Sequence, residues 1–282
     1  MKNHKGFIAL DIDGTATNDL FSIPQRVHDY LKELFDKGWK IIFMTGRTFS
    51  FGHTTLKELN FPYYFGVQNG ADILEMPHKK LVHRNYLNKE IIPAIEKVYA
   101  GYQEDFIIYM GYEKGDFCYY RPGRFSPTLL KYLQKIFSLA SEPSQAVENF
   151  EMKELTTFPL IKCFGSKESM ERLNQTLSTV SGLQATMIRD PISEALYLNL
   201  VTHQNATKGI ALKQIMKTVN LAGPLIAAGD DWNDKSMFEV ADVSIVMETA
   251  PQELLGSADI IAPSAVKEGI IQGLQEATKQ WD

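Results

Sequence analysis

The fold is decided by the stretch Phe7-Ile-Ala-Leu-Asp-Ile-Asp-Gly-Thr15, in which a short apolar run ends in two acidic residues. An uninterrupted apolar run of this length is typical of a strand that is buried on both faces, as in a parallel sheet. Parallel strands present functional groups at their carboxyl ends. The sequence therefore predicts that the carboxylates of Asp11 and Asp13 point into one crevice at the end of the first strand.

A helix and a second buried strand follow this first strand. Ser22-Ile-Pro-Gln25 predicts a helix start with Ser22 as the N-cap, Gly38 predicts the helix end, and residues 39–45 form the next apolar run. Near the C-terminus, apolar runs at 225–229, 243–247 and 259–262 repeat the pattern with helical stretches between them. The two ends of the chain together predict an α/β fold with a doubly wound, Rossmann-like parallel sheet.

The middle of the chain predicts a different architecture. A β-hairpin is expected from the runs at 71–75 and 80–84. Beyond it, many predicted strands are adjacent in sequence and helices lie among them, which favours an inserted α+β domain with an antiparallel sheet. The predicted domains are therefore residues 1–85 as the first part of the core, 86–201 as the insert and 202–282 as the second part of the core.

Composition narrows the class of protein. The 282 residues carry a formal net charge of −5 without a basic run, which argues against nucleic-acid binding. Cys118 and Cys163 are too few for a disulfide framework and indicate a reducing compartment. The apolar run that ends at Asp11 is too short for a signal peptide, and no run approaches the roughly 20 apolar residues of a membrane span. We expect a cytoplasmic protein that binds neither nucleic acid nor membrane.

The acid pair Asp11 and Asp13 suits phosphoryl transfer. One carboxylate can bind a metal and attack phosphorus, while the other donates a proton to the leaving group and later takes one from water. A calcium-binding EF-hand loop would need a third acid or Asn at its fifth position and Glu at its twelfth. Thr15 and Ser22 occupy those positions here, so the sequence does not match a calcium-binding EF-hand loop.

Three further motifs have residues suited to the same chemistry. Thr45-Gly46 ends the second strand and offers a hydroxyl and backbone N–H groups to a phosphoryl oxygen, although Thr-Gly is also an ordinary turn. Lys208 opens a predicted helix and could neutralise phosphoryl charge, although most lysines are simply solvated. Gly229-Asp-Asp-Trp-Asn-Asp234 follows another apolar run and offers the oxygen ligands that Mg²⁺ prefers. An N-cap role for Asn233 or Asp234 is compatible with metal binding.

These four motifs, in this order, resemble the haloacid dehalogenase superfamily of phosphohydrolases. The Lys208-Gly209 pair, the Gly-Asp-x-x-Asn-Asp pattern at 229–234 and the position of the insert resemble its Cof-type subfamily, in which the insert is a cap domain. The resemblance implies a phosphatase that uses Mg²⁺ and an aspartyl-phosphate intermediate. It also implies small phosphorylated metabolites, such as sugar phosphates or nucleotides, as substrates.

The resemblance assigns roles residue by residue. Asp11 would be the nucleophile and Asp13 the general acid and base. Mg²⁺ would be bound by the carboxylates of Asp11 and Asp230 and the backbone carbonyl of Asp13, with Asp234 in support. The phosphate would be held by Thr45, Gly46, Lys208, Asn233 and the Ile12 backbone. Asn69, in an Asn-Gly-Ala segment that lies beside the site in the family, would also bind substrate or phosphate.

Departures from the family pattern and two rival functions accompany this assignment. Asp231 stands where the family often has a small or uncharged residue, and Met247-Glu-Thr-Ala250 replaces Met-Gly-Asn-Ala. A phosphomannomutase-like transferase would carry the same acid pair and a similar insert. A catalytically silent binding module is the second rival, and the presence of Asp11, Asp13, Lys208 and Asp230 together argues against it.

Overall fold

The structure, a computed structural model, describes residues 4–140 and 142–281. Its residues group into two compact units. The first unit contains the chain up to Gly46, Gly52–Arg84 and the chain from Thr207 onward; the second contains Arg47–Phe51 and Asn85–Ala206. Within the described ranges, no helix has the length and apolar character that crossing a lipid bilayer requires.

Strands and helices alternate along much of the chain. The strands are, in order, β1 (Gly6–Asp11), β2 (Trp39–Met44), β3 (Tyr63–Val67), β4 (Asp72–Met76), β5 (Lys80–Arg84), β6 (Leu87–Asn88), β7 (Phe106–Tyr109), β8 (Cys118–Tyr120), β9 (Ser144–Ala146), β10 (Thr157–Phe158), β11 (Leu160–Gly165), β12 (Leu183–Arg189), β13 (Tyr197–His203), β14 (Leu225–Gly229), β15 (Val243–Met247) and β16 (Ile260–Ala262). The α-helices are α1 (Gln25–Asp36), α2 (Phe49–Leu56), α3 (Ile92–Val98), α4 (Pro127–Leu139), α5 (Lys167–Leu177), α6 (Lys208–Val219), α7 (Lys235–Phe238), α8 (Gln252–Leu255) and α9 (Ile270–Thr278). Short 3₁₀ turns join several of these elements.

An eight-stranded sheet forms the centre of the first unit, in the order β16-β15-β14-β1-β2-β3-β4-β5. Strand β1 pairs in parallel with both β2 and β14, and Leu10 lies opposite Phe43 on one side and Ala228 on the other. Because the carboxyl ends of these three strands are aligned, the residues that follow them share one edge of the sheet. The predicted parallel core is confirmed.

Helices cover the parallel strands of the first unit. Phe7 and Ala9 of β1 belong to a buried cluster that includes Leu212 and Ile215 of α6. Helices α1 and α9 contact each other and pack against β2 and β15 respectively. Alternate residues of β1 point to opposite faces, and all of them are buried, as expected for a strand with helices on both sides.

The predicted hairpin extends this sheet at one edge. Strands β4 and β5 pair antiparallel, which confirms the hairpin, and β4 pairs antiparallel with β3. Strand β3 itself pairs in parallel with β2 and was not predicted from the sequence. The core sheet is therefore mixed, with the hairpin attached through a strand whose aromatic residues Tyr63 and Phe65 are buried.

A six-stranded sheet, ordered β12-β13-β11-β7-β8-β9, forms the second unit. Its pairs are antiparallel, as predicted, except that β8 and β9 run parallel. Helix α4 connects these two strands, and a crossover of that length allows a parallel return. Residues of α3 and α5 pack on one face of the sheet and residues of α4 on the other.

The segment Arg47–Phe51 is built into the second unit by buried carboxylates. Thr48 Oγ1 donates to Glu142 at 2.7 Å, and the backbone N–H and hydroxyl of Ser50 donate to Asp116 Oδ2 at 2.7 and 2.8 Å. These contacts satisfy donors at the start of α2, a helix that was not predicted. Its local sequence, with Gly and paired Thr, has weak helix propensity.

One predicted helix start is wrong. Helix α1 begins at Gln25 after Pro24, which has the extended angles φ −54° and ψ 138°, and no side chain caps it. Ser22 instead contacts the preceding turn, where its hydroxyl donates to Asp19 and its carbonyl accepts from Thr17. The predicted N-cap, Ser22, lies two residues before the observed one, because Pro24 is not helical and the helix begins only at Gln25.

Candidate active site

Three neighbouring strands deliver the predicted acids and the predicted hydroxyl to one edge of the core sheet. Asp11 is the last residue of β1, and Asp13 follows it by two positions. Thr45 directly follows β2, and Asp230 directly follows β14. The alignment of these strands explains how residues more than 180 positions apart in sequence come together.

Lys208 joins two of these acids in a buried ion-paired group. Its Nζ lies 2.5 Å from Asp11 Oδ1 and 2.6 Å from Asp234 Oδ1. The side chains of Lys208 and Asp234 are fully buried, and that of Asp11 is 7% exposed. A lysine held this way is not a solvated surface residue, so the surface alternative for Lys208 is excluded.

The start of helix α6 fixes the position of Lys208. Thr207 is the N-cap, and its hydroxyl accepts from the N–H of Ile210 at 3.2 Å. The N–H of Gly209 donates to Ser236 Oγ at 3.0 Å. A β-carbon at 209 would lie 2.6 Å from the carbonyl carbon of Ser236, so only glycine fits there without displacement of the neighbouring backbone.

Asp11, Asp230 and Asp234 form a group that could hold a metal ion. One carboxylate oxygen from each lies within 4.8 Å of the others. Thr15 Oγ1 contacts Asp230 Oδ1 at 3.4 Å. Gly14, at φ +73°, passes so near that a β-carbon would lie 2.7 Å from Asp230 Cγ. The turn after β1 therefore packs directly on the acid that follows β14.

The electrostatics of this group favour an added cation. Burial raises the pKa of Asp11 well above its usual range, with Asp234 and Asp13 adding to the rise and Lys208 opposing it. Burial also raises the pKa of Asp230, and the charges of Asp11, Asp234 and Asp231 raise it further. Burial alone would lower the pKa of Lys208, but its two carboxylate partners raise it, so Lys208 stays charged. If all three carboxylates are ionised, the single ammonium of Lys208 leaves two negative charges, and the raised pKa values of Asp11 and Asp230 reflect burial together with the cost of that excess.

Asn69 connects two other residues that the sequence predicts to bind phosphate, Thr45 and Asn233. The N–H of Asn69 donates to the Thr45 carbonyl at 2.8 Å, and Asn69 Oδ1 accepts from Asn233 Nδ2 at 3.2 Å. Asn69 adopts the left-handed conformation, with φ 57° and ψ 28°. A β-carbon at Gly70 would lie 2.5 Å from the Ala211 side chain, so this turn packs against α6. The Asn69-Gly70 pair thus forms a turn. Through Asn69 this turn is hydrogen-bonded to Thr45, which follows β2, and to Asn233 in the loop after β14.

The remaining predicted site residues occupy the turn after β1 and the end of β2. Ile12 is fully buried, and its carbonyl accepts from the N–H of Thr17 at 3.1 Å. Asp13 is half-buried and pairs with Thr17 in an isolated bridge, and its charge acts on Asp11. Gly46 is half-buried directly after Thr45.

Three residues that support the site were not predicted as such. Thr15 contacts Asp230, Ser236 accepts from Gly209, and Asp231 caps the 3₁₀ turn Trp232–Asp234. Asp234 stands at the N-cap position of α7, as expected for one of the two candidates, but its side chain makes no capping hydrogen bond there, and the side-chain cap of the preceding 3₁₀ turn is Asp231. The Asp-x-x-Asp spacing of residues 231 and 234 could have predicted this cap, because it matches a capping box with Asp in the place of Glu.

Comparisons with known proteins identify the family of this chain. A family model described as haloacid dehalogenase-like hydrolase matches residues 8–274. The phosphatase YwpJ of Bacillus subtilis (strain 168) is 24% identical over 283 residues, covering 93% of this chain and 96% of that protein. The structure of SMU.1108c from Streptococcus mutans UA159 has a TM-score of 0.79 at 20% identity, over 98% of this chain and 99% of that one. The subclass IIB sugar phosphatase BT4131 has a TM-score of 0.76 at 18% identity, over 97% and 98%. The chain belongs to the haloacid dehalogenase-like hydrolase family, and its predicted membership among the Cof-type phosphohydrolases is confirmed.

Proposed function

We propose that this chain is a Mg²⁺-dependent phosphatase that hydrolyses small phosphorylated metabolites through a phosphorylated Asp11. The observation that carries the proposal is the position of Lys208, which lies between Asp11 and Asp234 in a buried group that also contains Asp230. A phosphatase of this type needs a nucleophilic carboxylate next to positive charge, and this arrangement supplies both.

The donor set fits Mg²⁺. Its atoms are carboxylate oxygens, which hard divalent cations prefer, and with all three carboxylates ionised their negative charge exceeds the positive charge of Lys208 by two. We assign the metal to the carboxylates of Asp11 and Asp230 and the backbone carbonyl of Asp13, supported by Asp234. When bound, Mg²⁺ would offset the repulsion between the Asp11 carboxylate and an anionic phosphate.

Asp11 and Asp13 divide the reaction between them. A carboxylate oxygen of Asp11 attacks phosphorus, the bond between phosphorus and the ester oxygen breaks, and the Asp13 carboxylic acid gives its proton to the leaving oxygen. The Asp13 carboxylate then takes a proton from water as that water attacks the phosphorus of phospho-Asp11. Inorganic phosphate leaves, and both aspartates return to their starting states.

Lys208 and the residues near β2 would hold the transferring group. We assign the phosphoryl oxygens to Lys208, the Thr45 hydroxyl, Gly46, the Asn233 amide and the Ile12 backbone. Asn69 acts here by orienting Asn233, because its Oδ1 accepts from Asn233 Nδ2. Fixed donors of this kind stabilise charge in the transition state without reorganisation.

The substrate class follows from the family and from a structural neighbour. BT4131 is named a sugar phosphatase. We propose sugar phosphates or nucleotides as the substrates here. We place the protein in the cytoplasm, in agreement with its two free, buried cysteines.

Turnover of an aryl phosphate tests the proposal. Purified protein with Mg²⁺ should release inorganic phosphate, EDTA should stop the release, and added Mg²⁺ should restore it. Asp11→Asn should abolish turnover while the circular-dichroism spectrum stays unchanged. Activity that survives in Asp11→Asn would eliminate the aspartyl-phosphate mechanism.

Two outcomes would favour the rival functions. Isomerisation of a sugar phosphate without release of inorganic phosphate would indicate a phosphomannomutase-like transferase. Absence of turnover across a panel of phosphorylated metabolites, in wild type and Asp11→Asn alike, would indicate a silent binding module. If phosphate is released, the same panel identifies the substrate.

A further inference from the structure

Asp231 lies beside the proposed metal-binding residues, but its carboxylate is directed at the backbone of its own loop. It adopts extended angles, φ −137° and ψ 175°, immediately before the 3₁₀ turn Trp232–Asp234. Its Oδ1 accepts from the N–H of Trp232 at 2.7 Å, and its side chain also accepts from the N–H of Asp234. Among the described residues, the metal-capable group consists of Asp11, Asp230 and Asp234.

The hydrogen bonds between Asp231 and Asp234 are reciprocal. Asp234 Oδ2 accepts from the N–H of Asp231 at 3.1 Å and from the N–H of Asp230 at 2.9 Å. Asp234 Oδ1 accepts from Lys208. One carboxylate oxygen of Asp234 thus accepts hydrogen bonds from the backbone of residues 230 and 231, and its other oxygen accepts from Lys208. Such a reciprocal pair satisfies N–H groups that the start of a helix leaves without partners.

Close packing leaves this loop little room to adjust. A β-carbon at Gly229 would lie 2.5 Å from Asp234 Cβ, and the loop continues into α7, where Ser236 accepts from Gly209. A shift of Asp234 would therefore displace both the Asp230 backbone and the partner of Lys208. The capping bonds of Asp231 oppose such a shift.

We propose that Asp231 is a positioning residue, which sets the geometry of Asp230 and Asp234 by capping the turn and does not itself bind the metal. Its contribution depends on a hydrogen-bond acceptor at that position more than on its negative charge. The proposal rests on the proposed function, because it takes Asp230 as a metal ligand.

Variants at position 231 separate the acceptor from the charge. Asp231→Asn and Asp231→Ser lack the charge but keep an oxygen that can cap, and Asp231→Ala lacks both. We expect Asn and Ser to bind Mg²⁺ within about twofold of wild type, and Ala to bind about fivefold more weakly, the size expected for the loss of one N-cap. Mg²⁺ binding is measured by titration calorimetry without substrate, so the result does not depend on turnover.

Two controls define the baseline for these measurements. Asp230→Asn should abolish Mg²⁺ binding and shows that the titration reports the proposed site. Glu248→Gln removes an exposed acid after the neighbouring strand β15, where it pairs with Lys267, and should bind Mg²⁺ like wild type. Hydrogen-exchange mass spectrometry of peptides that cover 229–238 should show faster exchange in Asp231→Ala than in Asp231→Asn.

Several results would overturn the proposal. Equal weakening in Asp231→Asn and Asp231→Ala would show that the charge acts on the metal directly. Wild-type binding in Asp231→Ala would show that the cap does not position the ligands. If Asp231→Ala fails to fold, the Asn and Ser variants still decide, because a loss of Mg²⁺ binding in both contradicts an acceptor role. Phosphatase activity measured separately in wild type shows whether the proposed function itself has failed.

Discussion

Lys208 Nζ and Asp11 Oδ1 lie 2.5 Å apart although 197 positions separate them in sequence. The pair exists because β1 and the start of α6 are brought to the same edge of one sheet. Both side chains are removed from water, so each depends on the other for compensation of its charge.

Replacement of Lys208 by Met should damage both activity and stability. It would leave Asp11 and Asp234 buried without their cation, a change that typically costs about 3–5 kcal/mol. We also expect kcat/KM to fall by about 10²–10³-fold, as for the loss of a group that stabilises charge in the transition state. Steady-state kinetics and urea unfolding measure the two effects.

Lys267→Met is the matched control, because Lys267 and Glu248 form an ion pair on the surface, with 65% and 41% of their side chains exposed. Solvent-exposed pairs contribute little, so neither kinetics nor unfolding should change. Equal effects at positions 208 and 267 would show that the buried group has no special role.

Gly209→Ala should destabilise the protein and lower its activity. The added β-carbon would overlap the Ser236 backbone, and overpacking of this kind typically costs about 1–3 kcal/mol. The same displacement would move Lys208. Gly256 offers a matched control because it has helical angles and its nearest neighbour to an added β-carbon is 3.6 Å away. Gly256→Ala should be neutral or slightly stabilising, and thermal unfolding with kinetics compares the two variants.

Asp13→Asn should slow turnover by about 10²–10⁴-fold, the range expected for loss of general acid–base catalysis. Aryl phosphates with leaving groups of lower pKa need less protonation and should be less affected. Asp19→Asn lies in the same loop and keeps the oxygen that accepts from the N–H of Phe21. It should retain wild-type kinetics, and a comparable loss there would assign the effect to the loop instead of to Asp13.

The two thiols should be unreactive in the folded protein. Burial raises the pKa of Cys163 to about 12 and also raises that of Cys118, so both are protonated at pH 8. Only the thiolate is nucleophilic. Ellman's reagent at pH 8 should therefore label both cysteines only after unfolding, and activity should survive the treatment. Rapid labelling with loss of activity would favour a cysteine role that the proposed mechanism lacks.

Asp116→Ala should destabilise the second unit. It would remove the acceptor for the N–H and hydroxyl of Ser50, and an unpaired buried group costs about 1–3 kcal/mol. Asp116 has φ +56°, a conformation that Asn also tolerates well. Asp116→Asn keeps both an acceptor and this backbone preference, so it should unfold close to wild type in a denaturant titration.

The parallel core and its acids could be predicted because their signals are local. Asp11, Asp13 and Asp230 each follow a buried apolar run directly, and strand ends converge in any parallel sheet. The roles of Thr45 and Lys208 needed the context of the other motifs, since neither residue type is distinctive alone. Asn69 and Asn233 are 164 positions apart in sequence, and no local sequence pattern predicts the hydrogen bond between them.

The elements that escaped prediction depend on distant partners. Helix α2 has a weak local propensity, and its first turn is capped by Asp116, 66 positions away from Ser50. Strand β9 consists of Ser144-Gln-Ala146, is fully exposed, and pairs in parallel with β8 only after α4 has brought it back. Local sequence carries too little information for either element.

Every residue to which we assign chemistry belongs to the first unit, which is assembled from both ends of the chain. The second unit consists of Arg47–Phe51 and residues 85–206, and the latter contain hydrophobic clusters of their own and lie between Arg84 and Thr207 in the chain. Substitutions, insertions or deletions within residues 85–206 therefore leave unchanged the identity of every residue to which we assign chemistry.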